Sequence, residues 1–394
     1  MVELGGDETK ARELLNIAAT KFDNAEARYV LGMIYSEGFG VEPDNEHAAR
    51  LYRAAAEQGH VRAIVVLADM FAEGQGVTED DGEACRLYEK AAQLGDGEAQ
   101  WSLGFMLEEG RGRTRDFDAA ARLYRLAAEQ NDAAGQWRLG NLLEKGLGVA
   151  KNHEQAAHYY RLAADQGSSE GQWRLGRMFG NGQGMAKDIE KAYELFKEAA
   201  DAGDPEGIWR LGLMYENGLT VGEDARKAAR LYRKAADAEN PGAQVRLGLL
   251  YEDGRGVAQN GSRAFELFER AAGQGVALAQ MHLGRVYEEG ELVEQDLERA
   301  VGLYLLAVDQ GEADAQWRLG SMYEEGIGLE QNVERAVELY RLAAAQGNSD
   351  GQYLLGTMYE EGVGVEPDRK IAINLYELAV VQGHTDAKKR LKYI

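Results

Sequence analysis

A glycine recurs every 36 residues along this chain, and this period constrains the fold more than any other feature. The marker positions are Gly32, Ala68, Gly104, Gly140, Gly176, Gly212, Gly248, Gly284, Gly320 and Gly356. Only the second position departs from glycine, and no insertion interrupts the ten copies. A fixed period of this length predicts stacked copies of one small unit rather than separate globular domains.

Each copy predicts two short antiparallel helices, A and B, joined by a turn that commonly reads G-x-G-V. Helix A has a leucine before the marker glycine and a large apolar residue three positions after it. Helix B begins at Asp or Asn in all ten copies, residues whose side chains accept hydrogen bonds from free N-terminal amides. Alanines four and eleven positions later flank an aromatic residue, so one face of helix B is apolar and lined with small residues.

The turn after helix B predicts the limits of the repeats. Glycine, which suits a left-handed backbone, stands there in eight of the ten copies, and Asn131 tolerates the same conformation. Glu239 is a poor candidate for it, so we expect a locally different turn in "DAENPG". Because so short a helix pair cannot bury its apolar face alone, we predict one solenoid over 1–394. It would comprise a capping helix in 1–24, ten repeats in 25–383 and a capping helix in 384–394.

Composition excludes several classes of function. The formal net charge of -23 disfavours nucleic acid and anionic lipid as partners. No apolar run reaches the length of a membrane span, and the N-terminus lacks the pattern of a secretory signal, so we expect no membrane insertion and a cytoplasmic location. The lone cysteine, Cys85, suits a reducing compartment and is expected to be a buried core thiol.

Residues 315–347 carry a pattern that resembles a known family. They read A-x-x-x-L-G-x-M-Y-x-x-G-x-G, then N-x-x-x-A-x-x-L-Y-x-x-A-A-x-Q-G. This is similar to the Sel1-like repeat, a relative of the tetratricopeptide repeats, and the resemblance covers about 25 through 394. It implies an all-α, right-handed superhelical solenoid that acts as a non-catalytic scaffold or adaptor. Cysteine-rich bacterial members are associated with β-lactam binding or hydrolysis, but they carry a disulfide in each repeat, which this chain cannot form.

All five tryptophans lie at one position of helix A, three residues before the marker glycine. At about 100° per residue they fall near 60°, whereas the core residues of helix A fall between roughly 220° and 300°. In related solenoids that face lines the concave groove, so we predict that it binds a protein or peptide. The predicted partner-binding residues are Trp101, Trp137, Trp173, Trp209, Trp317, Arg138, Arg174, Arg210, Arg246, Arg318, Phe105, Arg177, Leu213 and Arg285.

Other interpretations of this face stay open. The indole rings could be packing between successive A helices, and the arginines could pair with carboxylates such as Glu144, Glu216 or Glu324. Arg246 and His282 are expected to continue the basic row, which is the row of basic residues that directly follow the tryptophan position. The recurrent Glu-Glu-Gly at the end of helix A is interpreted first as solvated surface. An alternative function is a glycan-binding scaffold in the cell envelope. No catalytic, metal or cofactor motif occurs, so we expect none of these, and we expect a monomer or weak oligomer.

Overall fold

The computed structural model describes residues 4–394, with side chains from Lys10 onward, and this part of the chain forms 22 α-helices and no strand. Helix α1 (Leu4–Lys21) precedes ten A–B pairs, and α22 (Thr385–Arg390) follows them. The A helices are α2 (Ala25–Glu37), α4 (Val61–Glu73), α6 (Gly97–Glu109), α8 (Ala133–Lys145), α10 (Ser169–Asn181), α12 (Pro205–Glu216), α14 (Pro241–Asp253), α16 (Ala277–Glu289), α18 (Ala313–Glu325) and α20 (Ser349–Glu361). The B helices are α3 (Asn45–Glu57), α5 (Asp81–Gln93), α7 (Phe117–Glu129), α9 (His153–Asp165), α11 (Ile189–Asp201), α13 (Ala225–Asp237), α15 (Gly261–Gly273), α17 (Leu297–Asp309), α19 (Val333–Ala345) and α21 (Arg369–Val381).

The chain divides into two compact units, Met1–Ala202 and Gly203–Ile394. Within each unit, helix A packs on helix B of its own repeat, and helix B packs on helix A of the next. The predicted all-α tandem repeat is confirmed. Helix α1 contacts α2, and α22 contacts α21. The capping roles of 1–24 and 384–394 remain predictions, and residues 1–3 lie outside the described part.

The predicted start of helix B is confirmed in all ten copies. The side chain of the N-cap residue accepts a hydrogen bond from the backbone amide three positions later, from Asp44 to Asp368. In α3 the distance from His47 N to Asp44 Oδ1 is 2.8 Å. This hydrogen bond satisfies one of the amides that a helix leaves free at its first turn.

The core lies between helices A and B, and its centre is the aromatic ring of helix B. This ring sits directly over the marker glycine of helix A. A Cβ atom at Gly212 would lie 2.5 Å from Cε1 of Tyr232, and one at Gly140 would lie 2.8 Å from Cε1 of Tyr160. Both tyrosines are fully buried. Any side chain at the marker would therefore push the ring out of place, which explains the glycine at nine of the ten marker positions.

The expectation of a different turn at Glu239 is wrong. Glu239 takes a left-handed φ of 59°, close to the 68° of Asn131 at the equivalent position. The backbone bonds also match, because the amides of Glu239 and Asn240 donate to the carbonyls of Ala236 and Ala235, as in other repeats. The Glu239 side chain accepts from Gln244 and Arg270, and these contacts hold a residue type that otherwise disfavours this conformation.

Glu239→Gly is expected to raise the free energy of unfolding by about 1 kcal/mol, since glycine removes the strain of a left-handed glutamate. The lost contacts subtract little, because the Glu239 side chain is largely exposed. Urea denaturation of both proteins measures the difference. Asn131→Gly is the control and is expected to change little, because asparagine tolerates this conformation. Loss of stability in the Glu239 variant alone would show that its side-chain contacts outweigh the strain.

Candidate functional site

The five tryptophans are partly buried, neither fully enclosed nor fully exposed. They belong to the open side of helix A, which consists of solvent-accessible residues spaced four positions apart, the tryptophan among them. In α8 this side is formed by Ala133, Trp137, Asn141 and Lys145. The position of the tryptophan is occupied in α4, α14 and α16 by the buried residues Val65, Val245 and Met281. The tryptophan row is therefore a local feature and not continuous along the chain.

In the first unit the tryptophans and arginines form a continuous stack. The guanidinium carbon of Arg138 lies 4.4 Å from the ring centre of Trp137, 4.4 Å from that of Phe105 and 5.6 Å from that of Trp101. The guanidinium carbon of Arg174 lies 4.4 Å from Trp137 and 4.0 Å from Trp173. Cation–π contacts of this kind contribute about 0.5–1 kcal/mol each, or more when water is excluded.

In the second unit the tryptophans are more separate. Arg210 lies over Trp209 at 4.9 Å, and Arg318 lies over Trp317 at 4.5 Å. The Trp209 ring packs against α14, because a Cβ at Gly242 would come within 2.7 Å of it. Trp317 packs against a core cluster of α19 and α20. The other predicted residues of this unit, Leu213, Arg246 and Arg285, are also partly buried.

The first glutamate of Glu-Glu-Gly is a hydrogen-bond acceptor of the core, which corrects its interpretation as solvated surface. It accepts from the buried tyrosine of its own helix B. At the equivalent position of two other repeats, the distance is 2.6 Å from Tyr232 Oη to Glu216 and 2.9 Å from Tyr160 Oη to Glu144. Burial and this carboxylate raise the pKa of Tyr232 well above its ordinary value. The second glutamate of the pair is exposed.

Arginines of the following repeat bind the same glutamates. Arg177 donates to both oxygens of Glu144 at 2.5 Å. Arg138 lies 3.8 Å from Glu108, and Arg318 lies 3.6 Å from Glu288. The predicted pairing of arginines with carboxylates of neighbouring repeats therefore occurs. Tyrosine, glutamate and arginine link one repeat to the next and fix the arginines on the open side.

His282 does not continue the basic row. Its ring stacks on Phe268 with centres 4.9 Å apart. Burial, reinforced by Arg285 and Arg318 and partly opposed by Asp314, lowers the pKa of His282 to about 4. Glu252 lies 3.7 Å from its Nδ1, but Arg285 already binds that carboxylate. The imidazole is therefore neutral near neutral pH.

His282 predicts a pH dependence of stability. In the unfolded chain the imidazole binds a proton near its ordinary pKa of 6.5, whereas in the folded chain it does so only near about 4. As pH falls through this window the unfolded state binds more protons, so stability falls, by up to about 3 kcal/mol. His282→Gln is expected to remove this component when wild type and variant are compared by urea denaturation across the window. Identical pH profiles would contradict the assignment.

A row of paired glutamines, which was not predicted from the sequence, also joins neighbouring repeats. A buried glutamine stands four residues before the marker glycine in seven repeats. In one of them, Gln136 Oε1 accepts from Gln166 Nε2 at 2.7 Å, 30 residues later at the end of helix B. The same pair joins Gln100 to Gln130, Gln244 to Gln274, Gln280 to Gln310, Gln316 to Gln346 and Gln352 to Gln382. The sequence signal is partial co-occurrence: where Ile64 and Ile208 replace the first glutamine, Leu94 and Ala238 replace the second. Two repeats keep only one of the two glutamines, with Arg28 before Gln58 and Gln172 before Ala202.

The chain has a single thiol, that of Cys85. Cys85 is buried, as predicted, and burial raises the pKa of its thiol, whereas an activated thiolate has a lowered pKa. Across the described residues, no group of three or more His, Cys, Asp or Glu side chains could hold a metal ion. Within 4–394, every helix is too short or too polar to cross a membrane.

Comparison with known proteins identifies the family. The Sel1 repeat model matches ten consecutive segments, residues 25–60, 61–96, 97–132, 133–168, 169–204, 205–240, 241–276, 277–312, 313–348 and 349–384. The chain therefore belongs to the Sel1 repeat family. No curated protein gives a significant match.

Two solved structures give the same result. A protective antigen of uropathogenic Escherichia coli with a Sel1-like repeat fold is 34% identical over 98% of this chain and 82% of its own, with a TM-score of 0.71. A Sel1 repeat protein from Oxalobacter formigenes is 33% identical over 78% of this chain and 89% of its own, with a TM-score of 0.51. The Sel1-like α-solenoid fold predicted from the sequence is confirmed.

Proposed function

We propose that this chain is a non-catalytic scaffold that binds a protein or peptide partner on the open side of the A helices. The binding surface is centred in the first unit, on Trp101, Trp137 and Trp173 with the arginines that stack on them. The second unit contributes a separate, smaller surface at Trp209 and Trp317.

The Trp–Arg stack of the first unit carries this proposal. Packing alone does not require tryptophan, since the same position holds valine, methionine or tyrosine in other repeats. Here the rings remain partly exposed and are backed by Arg138 and Arg174, which limits their motion. Rigid, partly exposed aromatic rings beside arginine are the residues that most often dominate the binding energy of protein interfaces.

The test compares capture of partners by wild type and by a Trp137→Ala, Trp173→Ala variant. Cell extract from the source organism is passed over both immobilised proteins, and bound proteins are identified by mass spectrometry. We expect one specific protein to be retained at least about tenfold less by the variant, since truncating a dominant interface aromatic costs about 2 kcal/mol or more. Circular dichroism melting shows whether the variant remains folded.

The matched control is Leu126→Ala, which truncates an exposed apolar side chain on helix B of the same unit. It should retain the partner as wild type does. If the folded tryptophan variant retains the same proteins, the surface is structural and the proposal is wrong. Loss of bound polysaccharide, with no change in bound protein, would instead favour the glycan-binding scaffold.

A further inference from the structure

A pocket of about 390 Å³ opens beside Trp173, between α8, the start of α9 and α10. Four cationic side chains line it, those of Lys145, Lys151, Arg174 and Arg177, together with one carboxylate, Glu144. In a chain with a formal net charge of -23, this is a local reversal of sign. An anionic group placed here meets attraction that the protein as a whole does not offer.

Buried polar atoms of the pocket have hydrogen-bonding capacity left over. Nδ1 of His153 and Nε of Arg177 are buried without a hydrogen-bond partner. Glu144 is already bound by Arg177 and by Tyr160. The single acid in the lining is therefore occupied, and it does not neutralise Lys145 or Lys151.

The second unit contains the equivalent pocket with the opposite charge, three repeats later. The framework is the same, because Arg285 pairs with Glu252 as Arg177 pairs with Glu144. The lining of this pocket of about 320 Å³ carries three carboxylates, Glu252, Glu289 and Glu291, against one arginine. At the positions of Lys145 and Lys151 the chain has Asp253 and Gln259. The framework therefore does not require the cations of the first pocket.

We propose that the pocket beside Trp173 binds a carboxylate of an acidic segment of the partner. This rests on the proposed function, since the same partner would lie on the tryptophans of the first unit. Lys145 and Lys151 at the rim attract the acidic segment, and Arg174 and Arg177 lie next to its carboxylate. The carboxylate belongs to a side chain or to the end of the partner chain, and the two sources can be separated experimentally.

The test uses ¹⁹F NMR of the full chain labelled with 5-fluorotryptophan, which gives each tryptophan its own resonance. The probes are blocked oligoglutamate, blocked oligoglutamine, oligoglutamine with a free C-terminal carboxylate, and oligoglutamine with one phosphoserine. We expect a carboxylate-bearing probe to shift the Trp173 resonance while that of Trp317, in the second unit, stays unchanged. A response to blocked oligoglutamate assigns a side-chain carboxylate, and a response to the free terminus assigns a chain end.

A charge-matched pair of variants provides the control. Lys145→Asp with Lys151→Gln gives these two positions the residues of the second unit's pocket, and should weaken the response roughly tenfold or more. Lys187→Gln with Lys197→Asp changes exposed residues of the same unit by the same net charge, and should leave the response intact. Equal weakening in both variants would show a long-range charge effect and overturn the proposal.

Two further outcomes also overturn it: a response to the phosphoserine probe alone, or no response of Trp173 to any carboxylate probe. Failure of the carboxylate site can be distinguished from failure of the proposed function. If the tryptophan variant loses the natural partner while Lys145→Asp with Lys151→Gln retains it fully, the scaffold function stands and only the carboxylate site is wrong.

Discussion

Gly212→Ala is expected to lower the free energy of unfolding by about 3 kcal/mol. The added methyl group would lie 2.5 Å from the ring of Tyr232, which is fully buried. Overpacking of this kind costs about 1–3 kcal/mol. Moving the ring also disturbs the hydrogen bond from Tyr232 to the buried Glu216, which adds about 1–3 kcal/mol. The better helix propensity of alanine offsets about 1 kcal/mol of this.

Gly302→Ala is the matched control. Gly302 lies within α17 of the same unit, and a Cβ there would meet nothing within 4 Å. The same substitution is therefore expected to raise stability by up to about 1 kcal/mol. Urea denaturation measures both variants, and hydrogen exchange by mass spectrometry localises the loss to α12 and α13. Two stabilising substitutions would show that the ring does not require glycine.

The chain contains one natural alanine at the marker position, and its surroundings show what such a change requires. Beside Ala68, the hydroxyl of Tyr88 donates to Asp69, at 2.5 Å, instead of to the residue four positions after the marker. That residue is Ala72, which has no acceptor. An alanine is therefore tolerated where the acceptor has moved with it, which Gly212→Ala alone does not provide.

Gln166→Leu is expected to lower the free energy of unfolding by about 2 kcal/mol. The substitution leaves Oε1 of the fully buried Gln136 without its donor, and an unpaired polar group in a buried site costs about 1–3 kcal/mol. Adding Gln136→Ile should restore most of the loss, because replacing both partners by apolar groups is nearly neutral. The pair Ile64 and Leu94 is the natural example. A double-mutant cycle by urea denaturation measures the coupling.

Gln172→Ile provides the opposite case. Its partner position is Ala202, so the glutamine pair is absent, and Oε1 of Gln172 is buried without a hydrogen-bond partner. Replacement loses one hydrogen bond, from Nε2 to Glu198 at 3.2 Å, and removes the unpaired oxygen. We expect stability to be unchanged or to rise by up to about 1 kcal/mol. A loss as large as that of Gln166→Leu would contradict the account of the pairs.

The features that sequence predicts well here are those that depend on one helix. The spacing of Ala48, Tyr52 and Ala55 identifies a buried face, and Asp44 identifies a helix start, because both follow from the geometry of a single helix. The partial exposure of the tryptophans follows from the same geometry.

The features that sequence left open depend on contacts between helices. Neither the spacing of Tyr232 nor that of Gly212 shows that the ring lies on the glycine, and the link from Tyr232 to Glu216 is equally hidden. His282 occupies a position that is arginine in five other repeats, and its burial, with help from neighbouring arginines, makes it neutral. Glu239 shows that neighbouring contacts can hold a conformation that local preference disfavours.

Site-specific photo-cross-linking tests the central claim most directly. A benzoylphenylalanine at Asn141, on the open side of α8 next to the Trp–Arg stack, is compared in living cells with one at Leu126 on α7. We predict one discrete cross-linked protein from position 141, lost on Trp137→Ala with Trp173→Ala, and none from position 126. The same protein cross-linked from position 126 but not from 141 would contradict the account, since the partner would then bind the helix B side.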